Sequence, residues 1–364
     1  MTTCSRDVRQ RVECFRRRFD LRVPILLAPM AGASSPSLTI AVAQSGGLGA
    51  CGALLMSPED IIGWSQAVRA AGANAFQINN WIPGPAPRRD PQREAALCAF
   101  LSQWGPAVTP ETADAALPSF DAQCESMLAA HPPVISSIMG LYPAPYVRKL
   151  KKEGIAWFAT VSTVAEARQA QEAGADVLVA QGMEAGGHRG CFDADAAEAQ
   201  LVGLVALLPA VVDAVHIPVV ATGGIADARG IAAALLLGAS AVQIGTGFLR
   251  CPEAQIHSAW AAALGVCPPE DTVLSRAFSG RAGRCIVTDY VRAATTDGAP
   301  VTAPYPIQRA LTAPMRRAAL RDGDLQRMQA WAGQSARLAQ AVPAGQLVDQ
   351  LWLETQGLLS SGWG

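Results

Sequence analysis

The chain has 364 residues, enough for one large α/β domain with an appendage or for two domains. Half of them are hydrophobic and only 16% are charged, which excludes disorder and favours a parallel sheet covered on both faces. A net charge of -1 and a pI near 6.4 offer no basic stripe for nucleic acid or an anionic membrane, so a small molecule is the expected partner.

The nine scattered cysteines contain no C-x-x-C pair. Neither a disulfide framework nor a metal site is signalled, and the pattern is that of buried thiols in a reducing, cytoplasmic setting.

In chain order, residues 1–22 are Arg-rich but carry Asp7, Glu13 and Asp20 and have no apolar run, so they read as a lead-in helix rather than a targeting peptide. Val23 to Ala28 is the first strand. Ser35-Pro36 then caps a helix that stops at Gly46-Gly47. The run L-G-A-C-G-A is a second strand, Ser57-Pro58-Glu59-Asp60 caps the next helix, and Ala75 to Asn79 is the third strand. Gly47, Gly49 and Gly52 spell G-x-G-x-x-G, but they follow a helix and fall inside a strand, the wrong context for a dinucleotide fingerprint. Residues 81–133 depart from the rhythm and read as an enlarged connection, a lid over a barrel mouth or ornament.

The alternation resumes with V-I-S-S-I-M-G, a helix over Pro145 to Lys152, a strand over Ile155 to Thr160, and a capping box of Thr163 with Glu166. Asp176 to Ala180 is the sixth strand, feeding a Gly-rich turn that carries Glu184 and His188. A helix over Ala197 to Val212, a strand over Ile217 to Ala221, a helix over Asp227 to Leu237 and a strand over Ala241 to Ile244 complete eight units. They occupy roughly 230 residues, close to the usual size of about 250 for a (β/α)8 TIM barrel. Ile231 to Leu249 has no charged residue, yet its glycines and its change from helical to strand pattern argue against a membrane span. The division that follows is a lead-in at 1–22, a barrel at 23–253 and a mainly helical appendage at 254–364. Helices are expected there over Ala254 to Leu264, Pro304 to Arg321 and Leu325 to Ala341.

On a barrel, residues after strands lie at the catalytic face. The loops Ala221 to Ile225 and Gln243 to Gly247 follow the last two strands, where backbone N–H groups can cradle a phosphate; tight turning is the alternative reason for their glycines. Of the four histidines, His131 and His216 precede strands and His257 lies beyond the barrel, so His188 is the acid/base candidate, with a hydrogen-bonded structural histidine as the alternative. Glu184 is a second carboxylate candidate or a solvated loop residue. Asn79 and Gln181 end strands and can meet the polar edge of a heterocycle, and Met30 with Gly32 can put main chain beside a flat ring; ordinary strand-end capping is the alternative.

Taken together, A-P-M-A-G, G-G-L-G, Q-I-N, A-Q-G-M-E-A-G-G-H-R-G, A-T-G-G-I, Q-I-G-T-G-F-L and A-F-S-G-R-A-G-R resemble the nitronate monooxygenases over roughly Val23 to Val287. The resemblance implies an FMN-containing flavoprotein, an oxidoreductase that oxidises alkyl nitronates with O2 to a carbonyl compound and nitrite. Met30, Asn79, Gln181, Gly186, Gly224, Gln243, Ile244, Gly245 and Thr246 would hold FMN, and His188 would be the active-site base and substrate partner. Asn80 and Gly247 depart from the pattern at positions expected to border the flavin pocket. The sequence carries no signal of oligomeric state and is compatible with a homodimer. Two other readings share the barrel: a flavin-dependent enoyl-ACP reductase using NADH, and an FMN-binding barrel without turnover.

Overall fold

A computed structural model describes residues 7–115 and 117–360. The start of the lead-in segment with Cys4, Ala116 of the long insertion, and residues 361–364 of the tail lie outside the described residues.

Helix α1 (Val8–Arg18) starts where the Asp7 carboxylate accepts a hydrogen bond from the Gln10 amide. Its Phe15 is buried with Val134, Val177 and Ala241, the first residues of three strands, so α1 closes the strand-start end of the molecule. There follow β1 (Ile25–Leu27), α2 (Pro36–Gln44), β2 (Gly49–Gly52), α3 (Pro58–Ala70) and β3 (Phe76–Trp81). The insertion supplies α4 (Pro91–Leu101) and α5 (Phe120–Ala130). Next come β4 (Val134–Ile138), α6 (Ala144–Lys152), β5 (Ala156–Val161), α7 (Val164–Glu172) and β6 (Val177–Gln181). A two-residue β7 (Gly187–His188) precedes α8 (Leu204–Ala214), β8 (Val219–Thr222), α9 (Ala228–Leu236) and β9 (Ala241–Ile244).

Eight strands are parallel, in the order β1-β9-β8-β6-β5-β4-β3-β2. The two ends of that order meet where the Leu27 amide donates to the Leu48 carbonyl at 2.8 Å and the Leu48 amide to Ile25 at 3.1 Å. The sheet therefore closes, and the fold is a (β/α)8 barrel. Ser35, Ser57 and Thr163 cap their helices as their sequence context predicts, the last two in full capping boxes. The stretch Ile231 to Leu249 divides into a helix and a strand, and no helix among the described residues is long and apolar enough to cross a membrane.

The tail holds α10 (Ser258–Leu264), β10 (Thr272–Ser275), β11 (Gly283–Ile286), α11 (Asp289–Thr295), α12 (Ile307–Leu311), α13 (Ala313–Asp322) and α14 (Ala344–Ser360). Three segments differ from the sequence reading. Residues 197–203 are irregular and α8 starts later, where the Leu204 amide donates to the Glu184 carboxylate. Thr272–Ser275 and Gly283–Ile286 pair as antiparallel strands, too short for periodicity to reveal. Residues 325–341, expected to be a helix, are mostly irregular, because Gly333 must approach other backbone: a Cβ there would meet the Glu184 carbonyl at 2.9 Å and the Gly186 amide at 3.0 Å.

The insertion divides its loyalties. Residues Leu97 and Leu101 of α4 join Phe278, Tyr290, Leu311 and Met315 in a second core, under the tail. Helix α5 instead packs on α3 as part of the barrel wall. Asn80, fully buried, points outward along β3 to donate to Gln123 of α5 at 2.8 Å, and Gln123 in turn donates to the carbonyls of Ala53, Leu54 and Met56. Asn80 thus braces a helix rather than bordering the pocket. Gly247 faces Ile244 and Ala226, where a Cβ would sit 2.8 Å from Ile244, so it too is set by packing and not by the pocket. Replacing Asn80 with Leu strands the Gln123 carbonyl oxygen and the Trp81 amide, and is expected to lower unfolding free energy in urea by about 1–3 kcal/mol. An unchanged midpoint would show that the brace carries no stability.

Candidate active site

At the strand-end face the barrel opens into a cavity of about 1400 Å³, measured to include its mouth. Met30, Asn79, Gln181, Gly186, His188, Gly224, Gln243, Gly245 and Thr246 all line it. Ile244 does not: its side chain is in the barrel core, leaving only its main chain to serve a ligand. Met30 is flanked in the wall by Ala31 and Ala33, while Gly32, at φ +82°, makes the turn between them.

Several polar groups that face this space keep hydrogen-bonding capacity unused among the described residues. Asn79 uses its NH2 on Ser136 Oγ at 3.0 Å, and Gln243 uses its carbonyl oxygen on Gln77 at 3.0 Å. One amide acceptor and one amide donor therefore remain for a ligand with a mixed polar edge. Gly223 and Gly224 have φ of +112° and +69°, and the main-chain N–H groups of Gly224, Gly245 and Thr246 donate to nothing else among the described residues. Such free amides in a glycine turn suit an anion. Gln181, by contrast, is occupied: its NH2 donates to the His188 carbonyl and its oxygen accepts from the Gly190 amide at 2.8 Å, so it fixes the histidine's loop.

His188 owes its setting to the tail. β7 pairs with β11 through Gly283↔His188 and Arg284↔Gly187, which draws the segment S-G-R-A-G-R across the barrel mouth. Ser279 Oγ lies 2.7 Å from His188 Nε2 and 3.1 Å from the Arg281 carbonyl. A serine proton given to Arg281 puts the imidazole proton on Nε2 and leaves the lone pair on Nδ1. Trp81 and Trp331 stand edge-on to the imidazole, each at 4.7 Å between centroids. Part of the ring still opens to the cavity. Loss of hydration, and then the cations Arg281, Arg309 and Arg316, push its pKa down to about 3. The imidazole is neutral at physiological pH.

Glu184 is turned away. Both carboxylate oxygens accept from the Leu204 amide, at 2.8 and 3.1 Å, so it caps α8 and is no acid/base group of the cavity. His257 accepts from the Ala259 amide at the start of α10, and His131 ends α5 with φ +47°. Among the described residues the cysteines are free thiols and all but Cys14 are buried; burial pushes Cys51, Cys124, Cys251 and Cys285 up to about 12, far from a nucleophile's range. Sequence reasoning missed the tail's share of the wall: Trp260, Ser279, Arg309, Gln329, Trp331 and Ser335. Gly333, in the middle of an otherwise helical pattern, was the available signal.

The family model for nitronate monooxygenase matches residues 16–354, nearly the whole chain. The chain belongs to the nitronate monooxygenase family. It is an enzyme, a flavin-dependent oxidoreductase, of the class that oxidises nitronates. A nitronate monooxygenase of Paraburkholderia phytofirmans is 37% identical over 339 residues, covering 90% of this chain and 91% of the relative. A probable nitronate monooxygenase of Staphylococcus aureus is 34% identical over 334 residues, covering 91% and 94%. Among solved structures, nitroalkane oxidase from Streptomyces ansochromogenes superimposes with a TM-score of 0.82 at 33% identity, over 93% of this chain and 98% of that one. FabK from Thermotoga maritima gives 0.74 at 28% identity, over 95% and 96%.

In this nitronate monooxygenase family member the neutral His188 makes stability depend on pH. Its folded pKa lies near 3 against about 6.5 unfolded, so between those values the unfolded chain binds more protons. Its contribution to stability is thus full above about 6.5 and is lost as pH falls toward 3. Melting of the His188→Gln variant is therefore expected to fall less steeply from pH 7 to pH 4 than that of the unaltered protein. Parallel curves would mean that His188 takes up its proton in the folded state at its ordinary pKa.

Proposed function

We propose that the cavity binds FMN and that the enzyme oxidises alkyl nitronates with O2 to a carbonyl compound and nitrite, with His188 as active-site base and substrate partner. The observation that carries this reading is the meeting, in one cavity, of free main-chain amides, unspent Asn79 and Gln243 amide groups and a neutral histidine. Flavin-dependent nitronate oxidation by the family supplies the reaction class.

Gly224 and the Gly245-Thr246 turn hold the cofactor phosphate, with Ile244 contributing main chain only. Asn79, Gln243, Met30 and Gly186 would hold its ring system, Asn79 and Gln243 through their unspent amide groups. Bound there, FMN would supply the redox chemistry, as an acceptor for electrons from the electron-rich nitronate and a donor to O2. The protein's part is to position and to desolvate, because a nitronate already carries the electron density that a strong base would otherwise have to create. Trp81 and Trp331 keep water from the His188 ring, and Ser279 fixes its angle and tautomer. Unprotonated, His188 has a lone pair free to take a proton, but its depressed pKa makes it a weak base, so the nitronate, already deprotonated, is the substrate it suits better than a neutral nitroalkane. The buried free thiols fit a cytoplasmic location.

The test is aerobic turnover of alkyl nitronates by the flavin-loaded enzyme, following O2 uptake and nitrite together. His188→Ala is expected to lower kcat/KM by about 10²- to 10⁴-fold, the usual range for a positioned acid/base group. A fully active His188→Ala would remove the role given to His188, and no nitrite from any alkyl nitronate would overturn the function.

A further inference from the structure

The cavity wall is mostly apolar and contains one ionic side chain besides the titratable His188. That residue is Arg309; among the described residues no Asp, Glu or Lys lines the cavity. Arg309 belongs to the short helix α12, whose neighbours on both sides are fixed. The Gln308 side chain donates to the Ala277 carbonyl at 2.8 Å and accepts from the Ala303 amide at 3.0 Å. The Arg309 carbonyl accepts from the Arg316 guanidinium at 2.8 Å. One turn back, the Tyr305 ring packs 5.3 Å from Trp81, which abuts His188. Arg309 therefore stands on the histidine's wall, not by the glycine loops.

Three arginines act electrostatically on His188, and they differ in how their donors are used. Arg281 donates to the Cys191 carbonyl and Arg316 to Gln329 Oε1 and the Arg309 carbonyl. The Arg309 side chain makes no hydrogen bond or ion pair among the described residues, although it is only partly exposed. A half-desolvated guanidinium with unspent donors, alone in an apolar wall, is complementary to an anion. A neutral imidazole cannot supply that charge.

We propose that Arg309 binds the two nitronate oxygens of the substrate and so makes the enzyme select the nitronate anion over the neutral nitroalkane. This rests on the nitronate-oxidising reading above. The two oxygens of a nitronate are planar and spaced like those of a carboxylate, which the guanidinium fork can meet with two parallel N–H···O bonds. Binding and proton chemistry are then divided, with Arg309 holding the charge and His188 remaining a neutral acceptor beside it.

The test compares flavin-loaded wild-type, Arg309→Gln and Arg309→Lys proteins. Two quantities are measured: the Kd for nitrate, an inert planar anion, from perturbation of the flavin absorbance, and the KM for an alkyl nitronate. Arg309→Gln is expected to raise both by about 10- to 100-fold, the worth of a charge-assisted hydrogen bond, while Arg309→Lys recovers part of each. Affinity for a neutral nitroalkane as a competitive ligand is expected to change little. An Arg309→Gln protein with unchanged nitrate Kd and nitronate KM overturns the proposal. So does an Arg309→Gln protein that purifies folded but without flavin, which would put the guanidinium at the cofactor phosphate. If the wild type turns over no nitronate yet loses nitrate affinity on Arg309→Gln, the functional reading fails and the anion site at Arg309 stands.

Discussion

The pairing of β7 with β11 is the contact on which the site depends. A barrel strand alone would leave His188 on a hydrated loop, free to turn and free to protonate near 6.5. Two residues of antiparallel pairing bring Ser279 and the 281–284 arginines over the mouth, while Trp331, bridged to Cys285, closes the other side of the imidazole. The tail also returns to the barrel: α14 packs against α2 and α9, and its Ala344, Leu347, Val348 and Leu351 join the main core. The cap is thereby tied down at both of its ends: β7 joins the 279–284 segment, and the Gln334 and Gly333 amides donate to the Glu184 carbonyl and to Thr246 Oγ1, each at 3.0 Å.

Much of the barrel was legible because each unit announces itself twice, by an apolar run of strand length and by a capping residue or glycine at the next boundary. Thr163 with Glu166 is the clearest instance, and the same glutamate also receives the Phe192 amide at 2.7 Å, steadying the loop after His188. Local signals of this kind do not depend on distant partners. The cap was not legible for the opposite reason. β7 and β11 are defined by each other, and no periodicity can appear in strands of two and four residues. Residues 325–341 have helix-forming composition, and only the close backbone approach at Gly333 overrides it.

The site residues divide along the same line. Those carried by strand ends and glycine turns, such as Asn79, Gly224, Gln243 and Gly245, could be placed by topology. Glu184 could not, because its use as the cap of α8 requires knowing where α8 begins. Asn80 shows the limit of reading a motif by neighbourhood: adjacent to Asn79 in sequence, it faces the other side of the sheet. Arg309 gave no motif at all, and its meaning comes from being a cation in an apolar wall with no counterion among the described residues.

Coupling of a flavin to nitronate oxidation in this cavity can be observed directly. Mixing the flavin-loaded protein with an alkyl nitronate or with NADH in separate anaerobic cuvettes, and following flavin absorbance, tests it most directly. Rapid bleaching by the nitronate and none by NADH is expected. Rapid bleaching by NADH alone would contradict it and make the protein a nicotinamide-dependent reductase, and no bleaching by either would leave a barrel that binds its cofactor without using it.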